Sequence, residues 1–192
     1  MLSEKDLIKG CQNCKIKAQE ELYNRYSRKM YGICYHYTNS VDDAKDLLHE
    51  GFIKIFDKIR QYKGEGSFEG WMRRIMVNVT IDFIKKKKSR PDFIQDLLLE
   101  DSGEELSGNE NWGQETEDDL DYTQDEILSV INKLPDELRL IFNMFCLEQY
   151  SHKEISELLS MKEDTCRSKL RRARTFLRKY LKELKGDRIK QN

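Results

Sequence analysis

The chain has 192 residues and a mass of 22.9 kDa, with 38% hydrophobic residues, 36% charged residues and a formal net charge of −1. No stretch approaches the roughly 18 uninterrupted apolar residues of a membrane-spanning helix, and the opening MLSEKDLIKG lacks the apolar core of a secretory signal. Five irregularly placed cysteines do not suit a disulfide-stapled secreted domain, and 2 Pro and 10 Gly do not suit turn-rich β architecture, so a cytoplasmic, helical protein of one or two small domains is expected.

Helical periodicity begins with Ala18, Leu22, Tyr26, Met30, Ile33 and Tyr37, spaced so that they share one helix face. Ala44, Leu47, Leu48, Gly51, Phe52, Ile55, Phe56 and Ile59 form a second stripe, and Asp42 and Asp43 precede it where a helix dipole favours acids. The turn-like KGEGS interrupts the pattern. Phe68, Trp71, Met72, Ile75, Val79 and Phe83 resume it, in a helix that ends in Lys85 to Lys88. These stripes predict an all-helical domain of three or four helices over residues 1–90.

Residues 91–122 read as an acidic linker. Its segment SGEELSGNENWGQETEDD has too little apolar surface to offset the entropy of ordering. The cluster Phe93, Ile94, Leu97, Leu98, Leu99 is a candidate short docking helix, and Trp112 stands alone as an aromatic. Fourteen acids and no Lys or Arg fall between Pro91 and Glu126, so the rest of the chain sets 34 bases against 21 acids, a net of +13. Two basic blocks flanking an acidic strip point to an anionic partner, most commonly nucleic acid.

The second domain is expected over residues 123–186. Ile127, Val130, Ile131 and Leu134 lead to Pro135, which suits a first helical turn. Leu138, Ile141, Phe142 and Phe145 form the next face. Ser151 and Glu154 have capping-box spacing and open a short helix through Leu159. After the tight connection Ser160-Met161-Lys162, a final helix from Glu163 to about Leu184 buries Cys166, Leu170, Ala173, Leu177, Leu181 and Leu184. This is the layout of a helix-turn-helix. Arg167, Arg171, Arg174 and Arg178, with Ser168, Arg172, Thr175 and Lys179 beside them, lie away from that apolar stripe. A basic helix of this kind fits the major groove, where Arg bonds guanine bidentately and other bases grip phosphates.

Three segments carry a family resemblance. LPDELRLIFNMFCLEQYSHKEISELLSMKEDTCRSKLRRARTFLRK resembles region four of the extracytoplasmic-function group of bacterial sigma factors. DDAKDLLHEGFIKIFDKI resembles the helix by which such factors grip core RNA polymerase, and GSFEGWMRRIMVNVTIDFIKK resembles their promoter minus-ten segment. The resemblance covers nearly the whole chain. It implies an all-α protein of two small helical domains joined by the acidic linker, with core RNA polymerase and promoter DNA as partners, no cofactor and no enzymatic step. An anti-sigma factor is a further partner that the family allows.

Carried over residue by residue, the resemblance assigns Asp46, Leu47, His49, Glu50, Phe52 and Ile53 to core polymerase, with His49 where the family usually has Gln. It assigns Arg74, Asn78, Lys85 and Lys86 to the minus-ten strand, and Arg167, Ser168, Arg171 and Arg172 to the minus-thirty-five duplex. For Leu47 and Phe52, core packing is an equal alternative. Ile53 falls off the apolar stripe and is expected to be exposed. Phe68 and Trp71 suit a core role better than base stacking. The same resemblance suggests that the linker threads a basic polymerase channel, and its charge suggests a mask over the basic helices of the free protein.

Ser156, Ser160 and Cys166 depart from the family's alanine, turn glycine and valine, and Lys162 is a weak helix cap. Cys11-x-x-Cys14, with His36 and His49 as possible completing ligands, is a lone pair without a second ligand pair at suitable spacing, and a metal is not expected. A self-sufficient helix-turn-helix regulator that binds operators as a dimer is the main rival. It leaves the Asn78 block and the clamp-like helix unexplained, and a second rival, a protein-binding adaptor that docks on an acidic partner, predicts no promoter dependence in reconstituted transcription.

Overall fold

In a computed structural model, which describes residues 2–88 and 122–191, the regular elements of the described residues are all helical. The chain divides into two compact units, Met1–Pro91 and Asp92–Asn192. The fold is therefore the expected all-α one. The cluster Phe93 to Leu99, Trp112 and the acidic strip up to Asp121 lie outside the described residues. Tyr122, expected at the linker's end, donates its hydroxyl to the Leu181 carbonyl at 2.9 Å and so belongs to the second unit's packing.

The first unit consists of α1 (Glu4–Gln12), α2 (Ile16–Thr38), α3 (Val41–Lys58), a 3₁₀ turn (Ile59–Gln61) and α4 (Phe68–Lys88). Ser3 caps α1 and Ser40 caps α3, each hydroxyl accepting from the backbone N–H three residues on, at 3.1 and 3.3 Å. Between α2 and α3 the chain turns in two residues, because Asn39 adopts φ 49° and Ser40 is already the next cap. Helices α2, α3 and α4 pack against one another, and α1 lies along α2. Leu22, Met30, Ile55, Met72 and Met76 are at most 1% exposed, and each such side chain contributes about 1.5–3 kcal/mol by leaving water. A Cβ on Gly51 would run into the Met76 thioether, so glycine leaves the room that this side chain fills between α3 and α4.

Helix α4 departs from the expected stripe. Phe68, Met72 and Val79 are buried as the spacing requires, but so are Met76, Val77, Thr80 and Ile81, while Trp71, Ile75 and Phe83 are half-buried. Helices on two sides of α4 widen its buried face beyond one narrow stripe.

The second unit consists of α5 (Gln124–Asn132), α6 (Asp136–Phe142), a π-helical turn (Asn143–Leu147), α7 (His152–Leu159) and α8 (Glu163–Gln191). Two reciprocal capping boxes start α5 and α7. Thr123 pairs with Glu126 and Ser151 with Glu154, the hydroxyls accepting at 3.3 and 3.2 Å and the carboxylates at 2.8 and 2.9 Å. Pro135 stands at the N-cap of α6, one residue before the first-turn position. Behind it the guanidinium of Arg139, 4% exposed, donates to the Leu134 carbonyl at 3.1 Å and pairs with Asp136, which fastens the α5–α6 turn. Leu134, Leu138 and Ala173 form a core cluster on which Phe142 and Leu177 pack.

Candidate nucleic-acid interface

On α3, Asp46, His49, Glu50 and Ile53 follow at i, i+3, i+4 and i+7, and all four are exposed. Ile53 is 61% exposed, a large apolar side chain left in water as its spacing led us to expect. Lys54 pairs with Glu50 at 2.9 Å. Leu47 and Phe52 lie beneath this face. At 1% and 3% exposure they are core residues, and Phe52 packs its ring 4.7 Å from Tyr23. Their apolar spacing allows both packing and contact, and in this unit they are packed.

On α4, Arg74, Asn78, Lys85 and Lys86 are all exposed. The adjacent Lys87 is engaged elsewhere, with Nζ 2.9 Å from Asp43 and 5.6 Å from the Phe83 ring centroid. It ties the end of α4 to the first turn of α3. Upstream, the loop from Tyr62 to Ser67 turns through Gly64 at φ 81° and Gly66 at φ 78°, which favour glycine. The Tyr62 hydroxyl donates across this loop to the Gly66 carbonyl at 2.8 Å. Tyr62, Phe68 and Trp71 form an aromatic cluster with centroids 5.1–5.7 Å apart. Phe68 is its buried member, in keeping with the expected core role, whereas Trp71 is half-buried. Tyr62 was missed because a single tyrosine before a glycine loop has no periodicity.

In the second unit α7, a three-residue turn and α8 form the helix-turn-helix. The turn is made by Ser160 at φ 54°, in the left-handed region where a glycine has no steric cost, and the Met161 N–H donates to the Ser156 carbonyl at 3.1 Å. Cys166, Leu170 and Ala173 face inward at 0–2% exposure. Arg167, Arg171 and Arg172 are exposed and Ser168 is half-buried beside them, so the four assigned residues share the outer side of α8. Arg167 is held within its own helix, with Nη2 2.6 Å from Glu163 and Nη1 3.3 Å from Asp164. Behind it the rings of His152 and Phe145 stack at 4.5 Å, and the Arg174 guanidinium lies 5.6 Å from the Phe145 ring. Burial holds the His152 pKa below its ordinary value, and the charges of Arg167 and Arg174 add to this against the opposing Glu163.

The Cys11-x-x-Cys14 pair lies at the end of α1. Cys11 is buried and its pKa is raised by burial to about 11, while the exposed Cys14 accepts from Arg60 Nη2 at 3.3 Å. Among the described residues no group of three or more His, Cys, Asp and Glu is placed to hold a metal ion. No described helix is long and apolar enough to cross a membrane.

Two helical units, the second a helix-turn-helix and both carrying exposed bases, define a bipartite DNA-binding transcription protein. Residues 22–90 match the family Sigma-70 region 2, and residues 124–177 match Sigma-70, region 4. The chain is 31% identical to the ECF RNA polymerase sigma factor SigW of Bacillus subtilis, over 94% of this chain and 95% of that one. It is 30% identical to the ECF RNA polymerase sigma-E factor of Haemophilus influenzae, over 95% and 97%. The chain belongs to the ECF RNA polymerase sigma factors. Its function is therefore promoter recognition and transcription initiation as a subunit of RNA polymerase. The fold is also similar to CnrH, solved with the cytosolic domain of CnrY, at TM-score 0.50 and 15% identity over 94% of this chain and 97% of that one. The sigma factor RpoE of Bartonella quintana, solved with the anti-sigma factor NepR, gives 0.50 and 16% over 87% and 98%.

Proposed function

We propose a division of labour among three exposed faces. Asp46, His49, Glu50 and Ile53 on α3 contact core RNA polymerase, with Leu47 and Phe52 supporting that face from beneath. Arg74, Asn78, Lys85 and Lys86 on α4 hold the melted minus-ten strand, the bases at phosphates and Asn78 at an unpaired base. Arg167, Ser168, Arg171 and Arg172 on α8 read the minus-thirty-five duplex in the major groove. The observation that carries this reading is the helix-turn-helix, in which Arg167, Arg171 and Arg172 are exposed on α8 while Cys166, Leu170 and Ala173 face inward. No bond-making step is involved. An anti-sigma protein that covers one of these faces is a fourth partner, suggested by the complex of the Bartonella relative.

Run-off transcription with purified core polymerase on a genomic promoter library tests the reading. Promoter-dependent transcripts are expected. Ile53→Glu should weaken core binding at least about tenfold, whereas Asn78→Ala and Arg171→Ala should leave core binding intact and cut transcription. Operator binding by a dimer without polymerase, or mutants that all fail alike at core binding, would refute it.

A further inference from the structure

Lys169 sits among the bases of α8, one residue past Ser168 and two before Arg171, and by sequence it is one more candidate for a phosphate contact. The structure turns it the other way. Successive residues of a helix are about 100° apart, which places Lys169 beside the buried Cys166 and Ala173, on the far side from Arg167 and Arg171 and one turn before Arg172. Its Nζ meets Glu137 Oε2 of α6 at 2.5 Å across 32 residues of sequence, and the two side chains are 12% and 15% exposed. The pairs between helices of the first unit are different in kind, because Lys29 and Lys87 remain 62% and 64% exposed while paired. The second oxygen of Glu137, Oε1, is buried without a hydrogen-bond partner among the described residues. Lys169 is thus the charge that compensates this carboxylate.

We infer that the Glu137–Lys169 pair is a positioning device for promoter reading, a latch that sets the rotation of α8 about its own axis. The inference rests on the assignment of α8 to the minus-thirty-five duplex. The apolar contacts on this face, Leu134, Leu138, Ala173, Phe142 and Leu177, constrain volume more than angle, since apolar surfaces can repack. A nearly buried carboxylate must keep its counter-charge within reach, which limits how far α8 can turn. A rotation of α8 carries Arg167, Arg171 and Arg172 round with it, and bidentate contacts to base edges tolerate little of that. Lys169 therefore governs discrimination between sequences without touching DNA.

The test is the double variant Glu137→Leu, Lys169→Met, which removes both charges at once and leaves no orphaned ion, so that the fold survives. Full-length protein in holoenzyme is titrated with a promoter recovered from the run-off library and with the same duplex scrambled in its minus-thirty-five element, over a series of salt concentrations. The expected result is a urea midpoint at or above wild type, a cognate-to-scrambled ratio about tenfold lower, and an unchanged slope of log K against log salt. A lost phosphate contact would instead reduce that slope by about one and leave the ratio alone, which would overturn the inference. An unchanged ratio at an unchanged slope would also overturn it, by making the pair purely structural. Should the double variant not fold, Lys169→Arg keeps the charge and alters its geometry, with the same expectations. Arg171→Ala is the control. If it leaves cognate binding intact, the reading of α8 fails, whatever the pair does.

Discussion

The interior of the first unit, from Leu7 to Ile81, is apolar almost throughout. Its fully buried polar side chain is Thr80, whose hydroxyl is used locally on the Met76 carbonyl at 2.9 Å. The second unit buries Arg139 and Asn143 and nearly buries the Lys169–Glu137 pair, around a smaller set of apolar residues. An apolar interior fixes size and shape and tolerates repacking, whereas buried ions fix one arrangement and penalise every other. The contrast suits the proposed division of labour, with broad faces on a firm body in the first unit and a single aimed helix in the second.

Truncation in the first interior is the severest way to probe this difference. Ile55→Ala, at a site with 0% exposure, should cost about 2–5 kcal/mol and lower the urea midpoint of the first unit, followed by far-UV circular dichroism. A loss below about 1 kcal/mol would mean that this interior is loosely packed. A smaller and opposite change is expected in the second unit. Ser160→Gly relieves a left-handed serine at φ 54° and should stabilise the unit by about 1 kcal/mol. Destabilisation would show that the serine side chain contributes more than its backbone costs.

The smallest effect concerns His152. Its folded pKa lies below the ordinary 6.5, so the unfolded chain takes up a proton first as pH falls. The histidine's contribution is complete above about pH 6.5 and is lost progressively below it, down to the folded pKa. The melting midpoint of the second unit should therefore fall more for wild type than for His152→Asn between about pH 7 and about pH 5. Equal falls would place the acid sensitivity elsewhere.

Much of this was readable before any coordinates. Apolar residues at helical spacing located α2, α3 and α8, and Ser151 with Glu154 marked the start of α7, because local chemistry alone dictates both. Leu47 and Phe52 show where reading by residue stops, since one spacing serves a core and a contact equally well. Helix α1 escaped notice, its nine residues giving a short pattern with only Leu7, Gly10 and Cys11 buried. The final helix runs on to Gln191, past the last leucine of its stripe, where the sequence gives no hydrophobic periodicity to mark it. Glu163 and Asp164 stand four and three residues before Arg167, so that contact was open to inspection. The partnership of Glu137 with Lys169 was not, since nothing local relates residues so far apart in the chain.

The first helix is also more than a leader to the segment that matches region 2, which begins only at residue 22. Gln12 Nε2 donates to the Ile59 and Tyr62 carbonyls at 3.2 and 3.5 Å, and Arg60 Nε returns a bond to the Gln12 carbonyl at 3.1 Å. These bonds brace the base of the glycine loop. A fragment trimmed to the family boundary would lose that brace together with Leu7, Cys11 and Ala18 from the interior, so a fragment of the first unit that keeps this interior has to include α1.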